Sequence, residues 1–483
     1  MLMPERHLPN QHDLAKVKRI HLIAVCGTGM GTLAGLLKAK GYEISGSDAN
    51  VYPPMSTQLR NQNIALQEGF DANRLKNKDL IIVGNVISRG NVELEFAVEN
   101  KMPLLSLPEA LKTFFLDHAL PLTVTGTHGK TTTAAIATYV LDQCGKNPGF
   151  FVGGVLENYG KSFGLGQDGG PFVVEGDEYD SACFDKRPKF VHYTPKVGII
   201  TSIEFDHADI YRDLDHVVSV FRDFIAAMAK DSVLVACGED PIIQKIAPLC
   251  KGTVELYGEG TAFTWGAVVE KENEDGLEFS LFHKQKNLGR FHSPLPGRHN
   301  LKNLLAVLAA VGQFGIKPEM AMSKLQGFKS VLRRQQVRGV VNGVRVIDDF
   351  AHHPTAVRVT LEALRKKYPK GRLWAIFEPR TATSRRSVFQ DEYVKSFDDA
   401  NIVVIAKPFD QKKIPEAERF SASRLVEDMK IRRENVHYLA EIEEILDFVK
   451  RNVQKDDTLA VMSNGGFGGI QEKLLKSLEE KTS

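Results

Sequence analysis

Leu122-Thr-Val-Thr-Gly-Thr-His-Gly-Lys-Thr-Thr-Thr133 is the stretch on which the reading of this chain turns. The β-rich run Leu122 to Thr125 feeds a glycine loop, Gly126 to Gly129, then Lys130 and Thr131, and a helix is expected over Thr132 to Leu141. A strand that turns through glycines into a helix N-terminus cradles phosphate. Backbone N–H groups point at the anion, glycine lets the backbone approach it, and the helix dipole favours negative charge. Lys130 would reach the β/γ-phosphates and the Thr131 hydroxyl would meet Mg2+. The loop is the short form Gly126-x-x-Gly129-Lys130-Thr131; the longer G-x-x-x-x-G-K-[ST] form would need glycine where Val124 stands. A glycine turn capped by threonines is the plain alternative. Strand, loop, Lys-Thr and helix arriving together favour ATP, with Gly126, Thr127, His128, Gly129, Lys130, Thr131 and Thr132 as its candidate contacts.

The bounds agree with an ordinary enzyme. The 483 residues correspond to about three domains of roughly 150 residues each. Hydrophobic residues make up 43% and charged residues 25%, as in globular proteins without special solubility demands. The net charge of +2 leaves no footprint for nucleic acid or an anionic membrane. Met1 to Arg19 is polar, with Glu5, Arg6, His7, Lys16 and Lys18, and reads neither as a signal peptide nor as an anchor. No apolar run approaches the roughly eighteen residues of a membrane span. Cys26, Cys144, Cys183, Cys237 and Cys250 form no C-x-x-C pair, as expected of free thiols in a reducing compartment. A cytoplasmic location is expected.

Upstream, Ile20 to Val25 reads as a buried strand followed by Cys26-Gly27-Thr28-Gly29-Met30-Gly31, a helix (Thr32 to Gly41) and a second strand ending at Ser47-Asp48. This is a βαβ unit with a glycine-rich first turn and an acid about twenty residues on. The pattern is G-x-G-x-G-Thr, which departs from the G-x-G-x-x-G of dinucleotide sites. A nucleotide diphosphate on that helix N-terminus is expected, and a nucleotide-free domain of the same shape is the alternative. A third strand, Asp79 to Val83, ends in Gly84-Asn85, and Pro103 to Pro121 reads as a connector.

Downstream, Pro171 to Val174 reads as a strand ending in Glu175-Gly-Asp177-Glu178-Tyr-Asp180. A carboxylate there, Glu175 first, could ligate metal beside the phosphate loop, or the run could be a solvated loop. The strand Val197 to Ser202 leads into Ile203-Glu204-Phe205-Asp206-His207, where an Asp-His pair could be purely structural. Asn300 and Asn303 lie three apart at the start of an apolar helix expected from Leu304 to Phe314; they could read an adenine edge or cap the helix. From about Arg333 a third α/β unit follows. Val344 to Ile347 ends in Asp348-Asp349-Phe-Ala-His352-His353-Pro354, and Pro354 suits the first turn of a helix over Thr355 to Lys367. Leu373 to Phe377 ends in Glu378-Pro-Arg380, the strand Ile402 to Ala406 follows, and Leu459 to Met462 ends in Ser463-Asn-Gly-Gly-Phe-Gly-Gly469. Polar or glycine-rich residues at the strands' carboxyl ends suggest a binding face.

These motifs taken together resemble the Mur ligases, the ATP-dependent amide-forming enzymes of peptidoglycan synthesis, along nearly the whole chain. Gly-Thr-His-Gly-Lys-Thr stands at 126–131, the glutamate after a strand at Glu175 and Glu-x-Asp-His at 204–207. His-Asn-x-x-Asn stands at 299–303 and Asp-Asp-x-x-His-His-Pro at 348–354. Ser47 to Ser56, Phe184 to Arg187, Phe190 to Tyr193, Glu378 to Arg380 and Ser463 to Gly469 look most like the branch that acts in murein recycling. That branch joins UDP-N-acetylmuramate to the tripeptide L-Ala-γ-D-Glu-meso-diaminopimelate. Its relative that adds L-alanine is the alternative. The chain has Ser202 where the family usually has asparagine, and its first lysine after His207 is Lys230, too distant for the carbamylated lysine of some relatives.

The resemblance implies an α/β protein of three domains: a UDP-sugar-binding Rossmann-like domain (1–119), a central ATP-binding P-loop domain (120–331) and a Rossmann-like peptide-binding domain (332–483). It implies ATP and Mg2+, with Thr131, Glu175 and His207 round the metal. Gly27, Thr28, Gly29, Met30, Gly31, Asp48 and Asn85 would hold the UDP-sugar. Asn300, Asn303, Arg333 and Asp348 would contact ATP. His352, His353 and Arg380 would face the peptide or acyl phosphate, with Lys130, His207, His353 and Arg380 catalytic and His353 or a nearby acid taking the amine's proton. A monomer or weak homo-oligomer that closes its domains over the substrates is expected. A dehydrogenase would use the first glycine turn and Asp48 but leave the second loop and Glu175 idle. A nucleotide-regulated binding protein would have no use for His352, His353 and Arg380.

Overall fold

The computed structural model describes residues 6–51 and 55–480. Met1 to Glu5 of the N-terminal reading, and Tyr52-Pro-Pro54 within the Ser47–Ser56 stretch, lie outside the described residues. The chain folds as two compact units, one of residues 1–203, 217–256 and 306–324, the other of 204–216, 257–305 and 325–483.

The first unit contains a five-stranded sheet of β1 (Arg19–Ile23), β2 (Glu43–Asp48), β3 (Ala65–Glu68), β4 (Leu80–Val83) and β5 (Leu104–Ser106), in the order β3-β2-β1-β4-β5. All its pairs are parallel, and β4 is fully buried, as a strand covered on both faces must be. The order reverses beside β1, so a crevice opens at the carboxyl ends of β1 and β4. The helix Thr28–Ala39 starts on Gly27, earlier than the glycine pattern alone suggests. The stretch Pro103 to Pro121 is no connector: it holds β5 and the helix Leu107–Phe114. Ser106 and Glu109 close a capping box at that helix's start, with a proline in its first turn.

The same unit carries β6 (Leu120–Thr125), β7 (Gly149–Leu156), β8 (Lys161–Gly164) and β9 (Pro171–Gly176). A small antiparallel pair follows, β10 (Asp180–Ala182) and β11 (Asp185–Pro188). After it come β12 (Val197–Ile200) and β13 (Val233–Cys237). The order β13-β12-β6-β9-β7-β8 puts β6 in the interior between β9 and β12, both parallel to it. The loops that leave β6, β9 and β12 therefore meet at one edge. β14 (Thr253–Glu259) carries the boundary between the units.

In the second unit β15 (Trp265–Asn273), β16 (Gly276–His283) and β17 (Lys286–Ser293) form an antiparallel meander. The helix Arg298–Gly312 begins within this unit and contains Asn300 and Asn303 in its first two turns. A six-stranded sheet follows, from β18 (Gln336–Val341), β19 (Val344–Asp349), β20 (Leu373–Phe377), β21 (Ile402–Ile405), β22 (Val436–Tyr438) and β23 (Thr458–Met462). Its order is β18-β19-β23-β20-β21-β22. Only the β18–β19 hairpin is antiparallel, and two apolar clusters cover the sheet. No helix among the described residues is long and apolar enough to cross a membrane. The five cysteines are free.

Candidate active site

The loop after β6 is fixed by β12. Gly126 has φ +127°, and a Cβ there would lie 2.1 Å from the Thr201 Oγ1. The Thr127 N–H donates to the Ser202 carbonyl (2.9 Å) and the His128 N–H to the Ser202 hydroxyl (3.0 Å). The Thr201 hydroxyl donates to the His128 carbonyl at 2.5 Å. Ser202, the departure from the family's asparagine, thus holds the loop with both backbone and side chain. Gly129, at φ +78°, starts the helix Lys130–Gln143, whose first N–H groups lack side-chain caps and so face an incoming anion.

Lys130 donates to the Gly126 carbonyl (2.5 Å) and to both oxygens of Glu178 (2.9 and 3.2 Å). Burial alone would lower its pKa, but the charges of Glu178 and Asp177 win and leave it raised. The Thr131 hydroxyl donates to Glu175 Oε2 at 2.9 Å, and the Gly153 N–H donates to Oε1 at 2.5 Å. Burial first, then the charge of Asp177, push the Glu175 carboxyl up. The acidic run after β9 is therefore not a solvated loop: Glu175 and Glu178 are buried. Asp177 takes a hydrogen bond from Lys189 (3.1 Å), and although burial opposes it, Lys189 and Lys130 hold its pKa low.

A cavity of about 410 Å3 opens in the crevice of the five-stranded sheet, lined by Gly27, Thr28, Gly29, Met30, Asp48 and Asn85 with Tyr179, Ser181 and Lys189. Gly31 does not line it; a Cβ at Gly31 would strike the Met55 sulfur at 2.3 Å. Asp48 shapes the turn, accepting from the N–H groups of Cys26 (2.8 Å) and Asn50 (3.2 Å). Beneath it, buried Glu93 takes a short hydrogen bond from Ser47 and another from the Asp71 N–H at 3.0 Å. Burial raises the Cys26 thiol to about 11, so it is no thiolate nucleophile.

In the second unit, Asp206 accepts from the His207 N–H at 2.7 Å, and His207 sits at φ +53°. Burial opposes ionisation of Asp206, yet His352 and the neighbouring imidazoles hold its carboxyl well below the usual range. The His352 Nε2 lies 3.9 Å from Asp206 while its Nδ1 faces the Phe350 carbonyl at 3.0 Å. His353 is used structurally: its Nδ1 caps the helix Pro354–Lys367 through the Thr355 N–H, and its Nε2 donates to the Phe205 carbonyl (3.2 Å). Asn300 donates to the Pro296 carbonyl (2.7 Å) and Asn303 to Asn300 (3.3 Å).

At the carboxyl ends of β19, β20 and β23, Arg333 pairs with Asp348 (3.3 Å) and donates to the carbonyls of Ser463 (2.7 Å) and Gly465 (2.6 Å). Arg380 is clamped by Phe409, a residue that no sequence motif includes. It stacks 3.7 Å from the Phe409 ring centroid and lies 3.5 Å from Glu378, while a Cβ on Gly465 would come within 2.0 Å of its Nε. Glu378 is fixed in turn by the Ser463 hydroxyl at 2.6 Å.

Comparisons with known proteins agree along the chain. A family model described as Mur ligase family, catalytic domain, matches residues 19–118; the Mur ligase middle domain matches 124–311; and the Mur ligase, glutamate ligase domain, matches 333–465. The UDP-N-acetylmuramate–L-alanyl-gamma-D-glutamyl-meso-2,6-diaminoheptandioate ligase of Escherichia coli is 41% identical over 96% of this chain and 99% of its own. The UDP-N-acetylmuramate–L-alanine ligase of Caldanaerobacter subterraneus is 30% identical over 96% and 98%. Among solved structures, a murein peptide ligase from Psychrobacter arcticus aligns with TM-score 0.72 at 31% identity, covering 96% of this chain and 99% of that one.

Proposed function

The chain belongs to the Mur ligase family, ATP-dependent enzymes that form C–N bonds, and on that premise we propose that it joins UDP-N-acetylmuramate to L-alanyl-γ-D-glutamyl-meso-diaminopimelate. The observation that carries the choice of substrate is the 41% identity, over nearly both full lengths, to a relative whose name states that peptide, against 30% for a relative that adds L-alanine. The work would take place in the cytoplasm.

In this reading ATP sits with its phosphates on the Gly126–Gly129 loop, and the crevice of residues 27–30, Asp48 and Asn85 holds the UDP-sugar. The muramoyl carboxylate attacks the γ-phosphorus, the bond to the bridging oxygen breaks, and ADP leaves. The peptide's amine then attacks the resulting acyl phosphate, loses a proton, and phosphate departs. Two anions must meet in the first step, so positioning and neutralisation dominate. Lys130 supplies the positive charge by exchanging Glu178 for phosphate oxygens. Buried Thr131 and Glu175, with oxygens 2.9 Å apart, suit Mg2+. Bound Mg2+ would neutralise phosphate charge. His352 is better placed than His353 to take the amine's proton: it can do so without breaking a helix cap, and the Asp206 carboxylate 3.9 Å from its Nε2 would stabilise the imidazolium that results.

Arg380 would meet a carboxylate of the peptide or the acyl phosphate, and Gly465 lets it lie flat. Gly465→Ala is expected to push the guanidinium aside and raise the KM for tripeptide about tenfold, with the KM for ATP unchanged; steady-state kinetics with each substrate varied checks this. The function itself is tested by mass spectrometry of product formed from ATP, Mg2+ and UDP-N-acetylmuramate with an equimolar mixture of tripeptide and L-alanine. Tripeptide adduct is expected. An L-alanine adduct alone would move the enzyme to the other branch, with the chemistry unchanged.

A further inference from the structure

The pair β10–β11 and the turn after it bring to the crevice a lysine that the motifs do not include. Lys189 is only 7% exposed, and it lines the same cavity as the Gly27 turn. Among the described residues lining that cavity it is the sole lysine or arginine, and Asp48 is the sole acid. Its ammonium is held 3.1 Å from Asp177 and lies 4.0 Å from the Tyr179 ring centroid. The helix N-terminus on Gly27 offers only about half a positive charge. Asp48, though engaged by two N–H groups, adds a negative one. A diphosphate sugar that also carries a carboxylate therefore enters a crevice short of positive charge unless a cation in the wall turns towards it.

We propose that Lys189 is that cation: its ammonium pairs with an acidic group of the nucleotide sugar, shared with or exchanged from Asp177. The inference rests on the functional reading above and adds a binding residue to it. Asp177 also lies in the field of Lys130, so it keeps a cationic neighbour when Lys189 engages ligand. Two acidic groups of the ligand are in reach of this chemistry, the diphosphate and the muramoyl carboxylate, and they can be separated.

The test is calorimetric titration of the full chain and of its Lys189→Met and Lys189→Arg variants with UDP, UDP-N-acetylglucosamine and UDP-N-acetylmuramate. Lys189→Met is expected to weaken UDP-N-acetylmuramate at least tenfold and, because it takes one cationic neighbour from Asp177, to lower Tm; Lys189→Arg should restore most of the affinity and of the Tm, and ATP affinity should stay near wild type. Equal weakening of all three ligands assigns Lys189 to the diphosphate; weakening of UDP-N-acetylmuramate alone assigns it to the carboxylate. Unchanged affinities in Lys189→Met overturn the inference. So does a parallel fall in ATP affinity and Tm that arginine does not rescue, which would mark a structural role. Wild-type protein that binds none of the three would overturn the functional reading, and this inference with it.

Discussion

Lys130→Ala is expected to lower ATP turnover by about 10³-fold while affinity for UDP-N-acetylmuramate is retained. The ammonium stands at the start of the helix Lys130–Gln143, where the phosphates of ATP would sit, and Lys130 is absent from the lining of the cavity at the Gly27 turn. The single variant also strands Glu178, whose side chain is 3% exposed and pairs with Lys130 at 2.9 Å. Removing one partner of a buried pair costs about 3–5 kcal/mol, so lost turnover alone could reflect lost fold. The double variant Lys130→Met/Glu178→Gln separates the two effects. It should recover much of the Tm and none of the turnover. Turnover returning with stability would mean that Lys130 serves the fold and not the reaction.

Gly126→Ala should be nearly as damaging, for a different reason. At φ +127° the position is closed to side chains, and the added carbon would meet the Thr201 hydroxyl at 2.1 Å and the Ser202 nitrogen at 2.9 Å. Strain of about 1–3 kcal/mol combines with a collision against the backbone that anchors the loop, so the amides facing phosphate move. A fall of about 10²-fold in kcat/KM for ATP is expected. Gly145→Ala is the control. Gly145 also has positive φ, +76°, but a Cβ there has nothing within 4 Å. It should cost some stability and leave the kinetics alone. Equal kinetic losses in the two variants would show that the shape of the phosphate loop is not what matters.

The parts of this protein that were legible in the sequence are those written in local pattern. The strand–glycine–helix turns at Gly27 and Gly126 need no partner to be recognised, and both are present, each helix starting earlier than the pattern suggests. Two further local signals stand in the sequence. Ser106-x-x-Glu109 with Pro108 announces a helix start inside the supposed connector, and Asn342-Gly343 between apolar runs announces the β18–β19 hairpin. The rest was not legible because it depends on long-range pairing. Nothing local says that Lys130 faces an acid 48 positions away, or that Ser202 ties down a loop 74 positions upstream. Arg380 could be picked as a candidate, but its clamp between Phe409 and Gly465 exists only once β20, β21 and β23 lie side by side. His353 shows the reverse limit. Its motif marks it for chemistry, while its two ring nitrogens cap a helix and bind a carbonyl.

Central to the proposed mechanism is activation of the muramoyl carboxylate by phosphoryl transfer before the peptide's amine attacks it. UDP-N-acetylmuramate labelled with 18O in its lactyl carboxylate, turned over with ATP, Mg2+ and tripeptide, tests it directly through mass spectrometry of the released phosphate. An acyl phosphate requires one carboxylate oxygen to leave with phosphorus, so each phosphate formed should carry one label. Unlabelled phosphate beside labelled amide product would contradict that route and the roles of Lys130 and the Gly126 loop in it.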